Sequence, residues 1–192
     1  CDHDQANFEK TFESIKESVG GDAVLAQYPV NAGPGFDSII DIILFKLFKY
    51  PNDAGKPEIL DIPESELERA EELRQELIEK AAENDEALME LFFENDGLTE
   101  DEMRTGITAG VVARGMYPVF CASAKNNMGV GRFMEFLTNV APSTDEFEAA
   151  TTIDDVEVKC EQSGATSIFV FKTSVESHIG EINFFKVMSG EE

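Results

Sequence analysis

Two short polar elements, about 120 residues apart, carry groups suited to reading a guanine base. Asp2 lies in the stretch Cys-Asp-His-Asp-Gln-Ala-Asn-Phe, and its carboxylate can accept two hydrogen bonds from the N1 and N2 edge of guanine, which adenine cannot offer. Ser123-Ala124-Lys125 follows the apolar segment 117–122, where a backbone N–H could reach the O6 atom and the lysine stem could lie along the base. Losing one such polar contact can cost orders of magnitude in selectivity. The two elements therefore predict a split guanine-recognition site.

Both elements also have an ordinary explanation. Asp2 near a chain terminus is more commonly a solvated side chain, and a Ser-Ala-Lys sequence after a strand occurs often by chance. The cluster Cys1-Asp2-His3-Asp4 offers metal-ligand types, but no second ligand pair follows at zinc-like spacing, so we predict no metal site. The chain has two histidines, His3 and His178, and no motif around Ser or Cys that supports nucleophilic catalysis.

The order of several motifs resembles elongation factor G, the family of translational GTPases that drives translocation on the ribosome. Asp2 with Ala6-Asn7-Phe8 is similar to the end of that family's Asn-Lys-x-Asp and Ala-Asn-Phe segment. Pro29-Val30, Phe36 and Asp41 are similar to its Pro-Ile and Phe-x-Gly-x-x-Asp patterns.

Later segments continue this resemblance in the same order along nearly the whole chain. The charged run 70–89 resembles the family's long insert helix, and 169–173, Gly180 and 184–190 resemble the first strands of its second domain. The resemblance implies an α/β fold: the C-terminal part of a nucleotide-binding GTPase domain with an α+β insert, followed by the first strands of an antiparallel β-barrel.

We expect residues 1–146 to form the GTPase part, with the insert at about 31–116, and residues 147–192 to form a linker and the start of the barrel. Hydrophobic periodicity, turn residues and a Thr99/Glu102 capping box predict the individual elements. The predicted helices are at about 7–19, 63–82, 85–93, 99–114 and 130–140, and the predicted strands at about 23–30, 38–50, 117–122, 156–160, 167–173 and 181–188.

The resemblance implies that this chain is a fragment of a longer protein, the parent protein. It also implies that the parent protein binds GTP or GDP with Mg²⁺ and hydrolyses GTP. Asp2, Ser123, Ala124 and Lys125 would be its guanine-binding residues. The sequence has no Gly-x-x-x-x-Gly-Lys-Ser/Thr phosphate loop and no upstream switch segment. Because these elements hold the phosphates, the magnesium ion and the attacking water, we expect the chain alone to carry no bound nucleotide and to be inactive as a GTPase.

Departures from the family pattern favour a divergent paralogue. His3 and Gln5 replace the more usual Arg and Gly, and Ser38 lies where Gly is common. Segment 133–142 lacks the family's Leu-Leu-Asp and Tyr-Leu-Pro motifs. A translocation factor is the first hypothesis. A paralogue acting in ribosome recycling or protection, and an acidic protein-interaction module without a nucleotide role, stay open as alternatives.

The charge of the chain is strongly negative and unevenly distributed. The formal net charge is −24, and residues 61–102 hold 17 Asp or Glu against three basic residues. Such a balance argues against direct contact with nucleic-acid phosphates and favours a basic protein surface as partner. The resemblance implies that this partner is the stalk protein of the large ribosomal subunit. The chain would bind it through Glu68, Glu72, Glu76 and Glu79. A merely solvated helix face is the alternative.

Cysteine usage and hydropathy indicate the compartment. Three cysteines, an odd number, show no disulfide-framework spacing, and no apolar run of membrane-spanning length or signal peptide is visible. We therefore expect a cytoplasmic protein with no membrane partner.

Overall fold

The computed structural model describes residues 1–51, 55–141, 143–144 and 149–191 of the 192-residue chain. These residues form a mixed α/β fold with five α-helices and several small sheets. The chain divides into two compact units, Cys1–Ala141 and Pro142–Glu192. The predicted domain boundary at residues 146 and 147 lies outside the described residues.

The first helix begins where the sequence predicted it. Helix α1 spans Phe8–Val19, and the side chain of Asn7 caps it by accepting a hydrogen bond from the Lys10 backbone N–H at 2.9 Å. Its apolar face contributes Phe12 to the core, with Phe8 and Ile15 packed against that core. A 3-10 turn at Gly20–Asp22 then leads into the first strand.

The single strand predicted at 23–30 is wrong, because the chain changes sheets in its middle. Strand β1 is Ala23–Leu25 and strand β2 is Gln27–Pro29. Between them, the Ala26 N–H donates to the carbonyl of Val119, whereas the Ala26 carbonyl accepts from Ile42 on the other side. All the residues of both strands are buried, so an apolar run gave no sign of the change.

The long strand predicted at 38–50 is also wrong, because the segment folds into a hairpin. Strand β3 is Ser38–Asp41 and strand β4 is Lys46–Lys49. The turn contains neither Gly nor Pro; it is closed by the Asp41 carboxylate, which accepts the Leu44 N–H at 2.8 Å, and by Phe45 with a φ of 55°. Strand β5, Glu58–Leu60, was not predicted, and it completes an antiparallel four-stranded sheet in the order β2-β3-β4-β5.

Three helices follow close to their predicted positions. Helix α2 is Glu64–Ala82, α3 is Glu86–Asn95 and α4 is Glu100–Ala113. Pro63 lies at the N-cap of α2, and the predicted capping box of Thr99 and Glu102 is present at the start of α4. Their inner faces meet in the main core, which includes the fully buried Leu77, Met103 and Ile107.

The chain then returns to β1. Strand β6, Tyr117–Val119, pairs with β1 in parallel, and helix α5, Val130–Asn139, follows after a turn. Phe136 of α5 joins the main core. A second, smaller core contains Phe36, Ile39, Phe48, Tyr50, Cys121 and Met128. No described helix combines the length and apolar character needed to cross a membrane.

The described residues of the second unit form four strands. Strands β7, Ala150–Thr151, and β8, Glu157–Val158, form a short pair, whereas β9, Ser167–Glu176, and β10, Gly180–Ser189, form a long antiparallel ribbon. The two predicted ribbon strands are thus confirmed, each slightly longer than expected. Among the described residues of this unit, Ser189 alone is buried.

Candidate functional site

The fold brings the two predicted base-reading elements together. The Cys1 backbone nitrogen donates to the Ala122 carbonyl at 2.9 Å, so the first residues run beside the end of the segment that follows β6. The side-chain amide of Asn126 lies 3.5 Å from Asp2 Oδ2. Asp2 and Ser123 therefore share one site, although α1, the four-stranded sheet and helices α2 to α4 lie between them in sequence.

Residues 123–129, which we call the recognition turn, have a well-defined internal geometry. Ser123 and Met128 exchange two backbone hydrogen bonds, of 2.9 and 3.0 Å, and the Ser123 hydroxyl accepts the Asn126 N–H at 3.2 Å. Ser123 is only 1% exposed, whereas Ala124 and Lys125 are exposed at the tip. The tip can therefore meet a ligand while its base is fixed in the protein.

The electrostatics of the site favour an ionised Asp2. A hydrogen bond from the Ser123 side chain is the main cause that lowers the pKa of Asp2, with a backbone hydrogen bond and the nearby positive charge of Lys125 acting in the same direction. An ionised carboxylate accepts hydrogen bonds at both oxygens and donates none. At neutral pH the site thus presents an acceptor pair, which matches two adjacent N–H donors.

The recognition turn ends at a residue that must be glycine. Gly129 has a φ of 77°, and a Cβ atom there would lie 2.6 Å from the Cys121 carbonyl oxygen and 2.9 Å from the side chain of Ile39. Met128 just before it is buried in the smaller core. The turn is therefore pressed against β3 of the four-stranded sheet.

Two polar groups near the turn were not identified from the sequence. Asn126 contacts Asp2 as described, and its only sequence signal is its position three residues after Ser123. Arg132 of α5 forms an ion pair of 3.1 Å with Asp41, a residue singled out by the sequence only as part of a family pattern. A polar residue on an amphipathic helix gives no indication that its partner is buried.

A buried thiol lies beside the recognition turn. Burial raises the pKa of the Cys121 thiol to about 12, so this thiol stays protonated beside the turn. In the described part of the chain, no group of three or more His, Cys, Asp or Glu side chains could hold a metal ion.

The predicted partner-binding residues lie on one solvent-facing side of α2. Glu68, Glu72, Glu76 and Glu79, which we call the acidic face, are all exposed, and the buried residues of α2 are on its other side. The basic residues of this helix are engaged elsewhere. Arg69 pairs with Glu9, Lys80 pairs with Asp22 and Glu83, and Arg74 donates to the carbonyls of Ile42 and Ile43.

Comparison with known proteins adds a likeness of fold. The chain matches no protein-family model. It is similar to the crystal structure of the protein ttk003000868 from Thermus thermophilus, with a TM-score of 0.73 and 23% sequence identity over 97% of this chain. The chain spans about a quarter, 26%, of the length of that Thermus chain. At this identity the likeness shows that the two share an α/β fold.

Proposed function

We propose that the chain is the guanine-reading part of an elongation factor G-like translational GTPase. In this proposal it supplies the C-terminal part of the GTPase domain with its insert, and the first strands of a following β-barrel domain. The observation that carries the proposal is the meeting of Asp2 with Ser123: their neighbours Cys1 and Ala122, 121 positions apart, are joined by a backbone hydrogen bond.

The geometry suits the hydrogen-bonding edge of guanine. The Asp2 carboxylate would accept the N1 and N2 hydrogens, with its orientation held by the Ser123 hydroxyl. The backbone N–H groups of Ala124 and Lys125 donate to no other described residue, so they are free to face the O6 atom. The exposed Lys125 stem would lie along the base. Adenine has an acceptor at N1 where guanine has a donor, so it would leave the Asp2 carboxylate without this hydrogen bond.

Hydrolysis belongs to the parent protein in this proposal. GTP bound with Mg²⁺ needs a phosphate loop, and the sequence carries none. Each lost hydrogen bond to a charged phosphate removes about 1.5–3 kcal/mol of binding free energy. We therefore expect this chain to bind guanine nucleotides only at millimolar concentration and to hydrolyse no GTP.

The test is an NMR titration of the chain with GMP and, in parallel, with AMP at millimolar concentration. GMP should shift the amide signals of Asp2, Ala124 and Lys125, and AMP should leave them in place. Asp2→Asn should abolish this preference, because an amide cannot accept both guanine donors. Asp4→Asn, at an exposed neighbour, is the matched control. Equal responses to GMP and AMP would refute the base-reading role.

The acidic face supports a partner of the opposite charge. Glu68, Glu72 and Glu76 recur at i, i+4 positions, where like charges destabilise a helix by a few tenths of a kcal/mol per pair, and Glu79 follows one turn further on. A lysine-rich surface would relieve this repulsion and accelerate encounter at low salt. We propose the carboxy-terminal domain of the large-subunit stalk protein as this partner, with the ribosome as the wider assembly.

Charge reversal tests the acidic face. Changing Glu68, Glu72, Glu76 and Glu79 together to Lys should slow association with the stalk domain in low salt, measured by stopped-flow fluorescence. The matched control reverses four exposed carboxylates elsewhere, Glu17, Glu157, Glu176 and Glu181, and so changes the net charge equally. If both variants slow association to the same extent, only the overall charge matters. The acidic face would then be a solubility feature.

One observation favours a second candidate function. The acidic face is exposed and could meet a basic partner without any nucleotide, which also suits an acidic protein-interaction module with no nucleotide role. The GMP titration separates the two candidates, because only the guanine-reading site distinguishes GMP from AMP. A paralogue acting in ribosome recycling or protection would share the base-reading site, so a translocation assay of the full parent protein separates that alternative.

A further inference from the structure

A buried carboxylate in the four-stranded sheet is held by a side chain from α5. Asp41, at the end of β3, is 1% exposed. Arg132 places its Nε and Nη2 atoms 3.2 and 3.1 Å from Asp41 Oδ2, and the Gln27 side-chain amide donates to the same oxygen at 2.8 Å. The other oxygen accepts the Leu44 N–H. Both carboxylate oxygens are thus satisfied, as burial of a charge requires.

The guanidinium of Arg132 is fixed on several sides. It lies over the Phe48 ring, with its central carbon 5.2 Å from the ring centroid, and its remaining nitrogen contacts Glu135. Its side chain is 14% exposed. A planar guanidinium with these contacts has one orientation, whereas a lysine ammonium could not make the same two-nitrogen contact.

This ion pair lies next to the recognition turn in the chain. Arg132 follows Gly129 by three residues, and Gly129 is where the turn ends and α5 begins. Met128 and Gly129 are already in contact with the Ile39 side of the sheet. The tip residues Ala124 and Lys125 are exposed. Their position therefore depends on the hydrogen bonds within the turn and on the anchors at either end of it.

We propose that Arg132 is a positioning residue for the recognition turn, which it ties through Asp41 to the four-stranded sheet. The proposal rests on the proposed function only for the identity of the ligand. The turn then has two anchors on one sheet, apolar packing at Met128 and an ion pair one helical turn further on. Loss of the ion pair should let the start of α5 shift, and should separate Ser123 from Asp2 without unfolding the chain.

The test removes both charges at once, so that neither partner is left buried and unpaired. Arg132→Gln combined with Asp41→Asn leaves an uncharged polar side chain at both positions, although Gln is shorter than the arginine that it replaces. We expect amide exchange at Ser123 and Met128 to become about tenfold faster while the amides of α2 are unchanged. The pKa of Asp2, measured by NMR, should rise because the Ser123 hydroxyl no longer holds it down. Glu135→Gln, which removes only the exposed partner of Arg132, should change neither quantity.

Each outcome decides the proposal. Wild-type exchange at Ser123 and Met128 together with a wild-type pKa of Asp2 in the folded double variant would overturn it. If the double variant does not fold, Arg132→Lys replaces it. This substitution keeps the charge but loses the two-nitrogen contact, and unchanged values in it would likewise overturn the proposal. If the wild-type chain binds GMP and AMP equally, guanine recognition is refuted but the positioning role of Arg132 is not. Amide exchange and the pKa of Asp2 are measured without nucleotide, so they test that role separately.

Discussion

The unit Cys1–Ala141 and the unit Pro142–Glu192 differ in how far their phenylalanine side chains are buried. Phe36 and Phe48 of the first unit are each 3% exposed. Phe169 and Phe171 on β9 are 58% and 60% exposed. The ribbon of β9 and β10 is hydrogen-bonded along its length, but Ser189 is its one buried residue in the described part of the unit.

This contrast separates two contributions to stability, that of backbone hydrogen bonds and that of apolar burial. A ladder of hydrogen bonds defines a strand, but each bond adds little net stability because water offers the same bond to the unfolded chain. Burial of apolar surface supplies most of the stability, and a two-stranded ribbon is marginal without it. The first unit has helices packed on its sheets and therefore both contributions. We expect it to hold nearly all of the folding free energy of this chain.

The largest expected difference is in amide exchange. Amides of β3 and β4 should exchange only through global unfolding of the first unit, and those of β9 and β10 through local opening. Their protection factors should differ at least about 1,000-fold at neutral pH. Hydrogen exchange measured by mass spectrometry on a dilute monomer checks this. Equal protection of the ribbon would mean that the second unit is stabilised by burial not seen in its described residues.

A matched pair of substitutions should give the next largest effect. Phe36→Ala empties a buried site in the smaller core and should lower the free energy of unfolding by about 3–5 kcal/mol. Phe171→Ala removes the same atoms from an exposed site and should change it by no more than about 0.5 kcal/mol. Urea denaturation followed by circular dichroism measures both. Similar losses from the two variants would contradict the contrast between the units.

Two glycines with similar backbones sharpen the contrast further. Gly129 and Gly180 have φ values of 77° and 92°, so alanine is strained by about 1 kcal/mol at either position. A Cβ atom at Gly180 would meet nothing within 4 Å, whereas one at Gly129 would clash with Cys121 and Ile39. Gly129→Ala should therefore cost about 1–3 kcal/mol more than Gly180→Ala in the same urea experiment. Equal costs would show that the turn adjusts freely.

The smallest effect concerns the pKa of the partly buried Asp2 in the first unit. A depressed pKa means that ionised Asp2 contributes stability above its unfolded pKa, near the ordinary 3.8, and that this contribution is lost as pH falls through the lower folded value. Ser123→Ala should move the pKa of Asp2 upward, measured by carbon-detected NMR. Lys125→Met removes a positive charge that lowers the pKa of Asp2 less than the Ser123 hydrogen bond does, so it should raise this pKa less. A larger shift from Lys125→Met would reverse the order of causes.

Local patterns predicted the helices of this chain well and its sheets poorly. Asn7, Pro63 and the Thr99/Glu102 pair mark helix starts, and these signals act within one turn of the chain. The apolar runs at 23–30 and 38–50 hid a change of sheet at Ala26 and a hairpin at residues 42–45. A continuous apolar run looks the same for one buried strand and for two, because the turn used side-chain and backbone contacts in place of Gly or Pro.

The structure shows that the residues of the predicted site lie close together, whereas their base-reading role stays a prediction. Asp2 and the Ser-Ala-Lys sequence were identified from the sequence, and the structure places them side by side. Asn126 and the ion pair of Arg132 with Asp41 were not, because their roles depend on which residues the fold brings into contact. No spacing rule connects a helix residue to a carboxylate that lies 91 positions away.

The separation of Cys1 from Ala122 by 121 positions also has a consequence for folding during synthesis. Closing so long a loop adds little to the entropic cost at equilibrium, but it slows the encounter of the two ends. At about 5–20 residues per second, the ribosome would make Asp2 roughly 6–24 s before the recognition turn. The intervening sheet and helices would fold in that interval and shorten the gap to be closed. The contact between the first residues and the recognition turn is therefore a late product of folding.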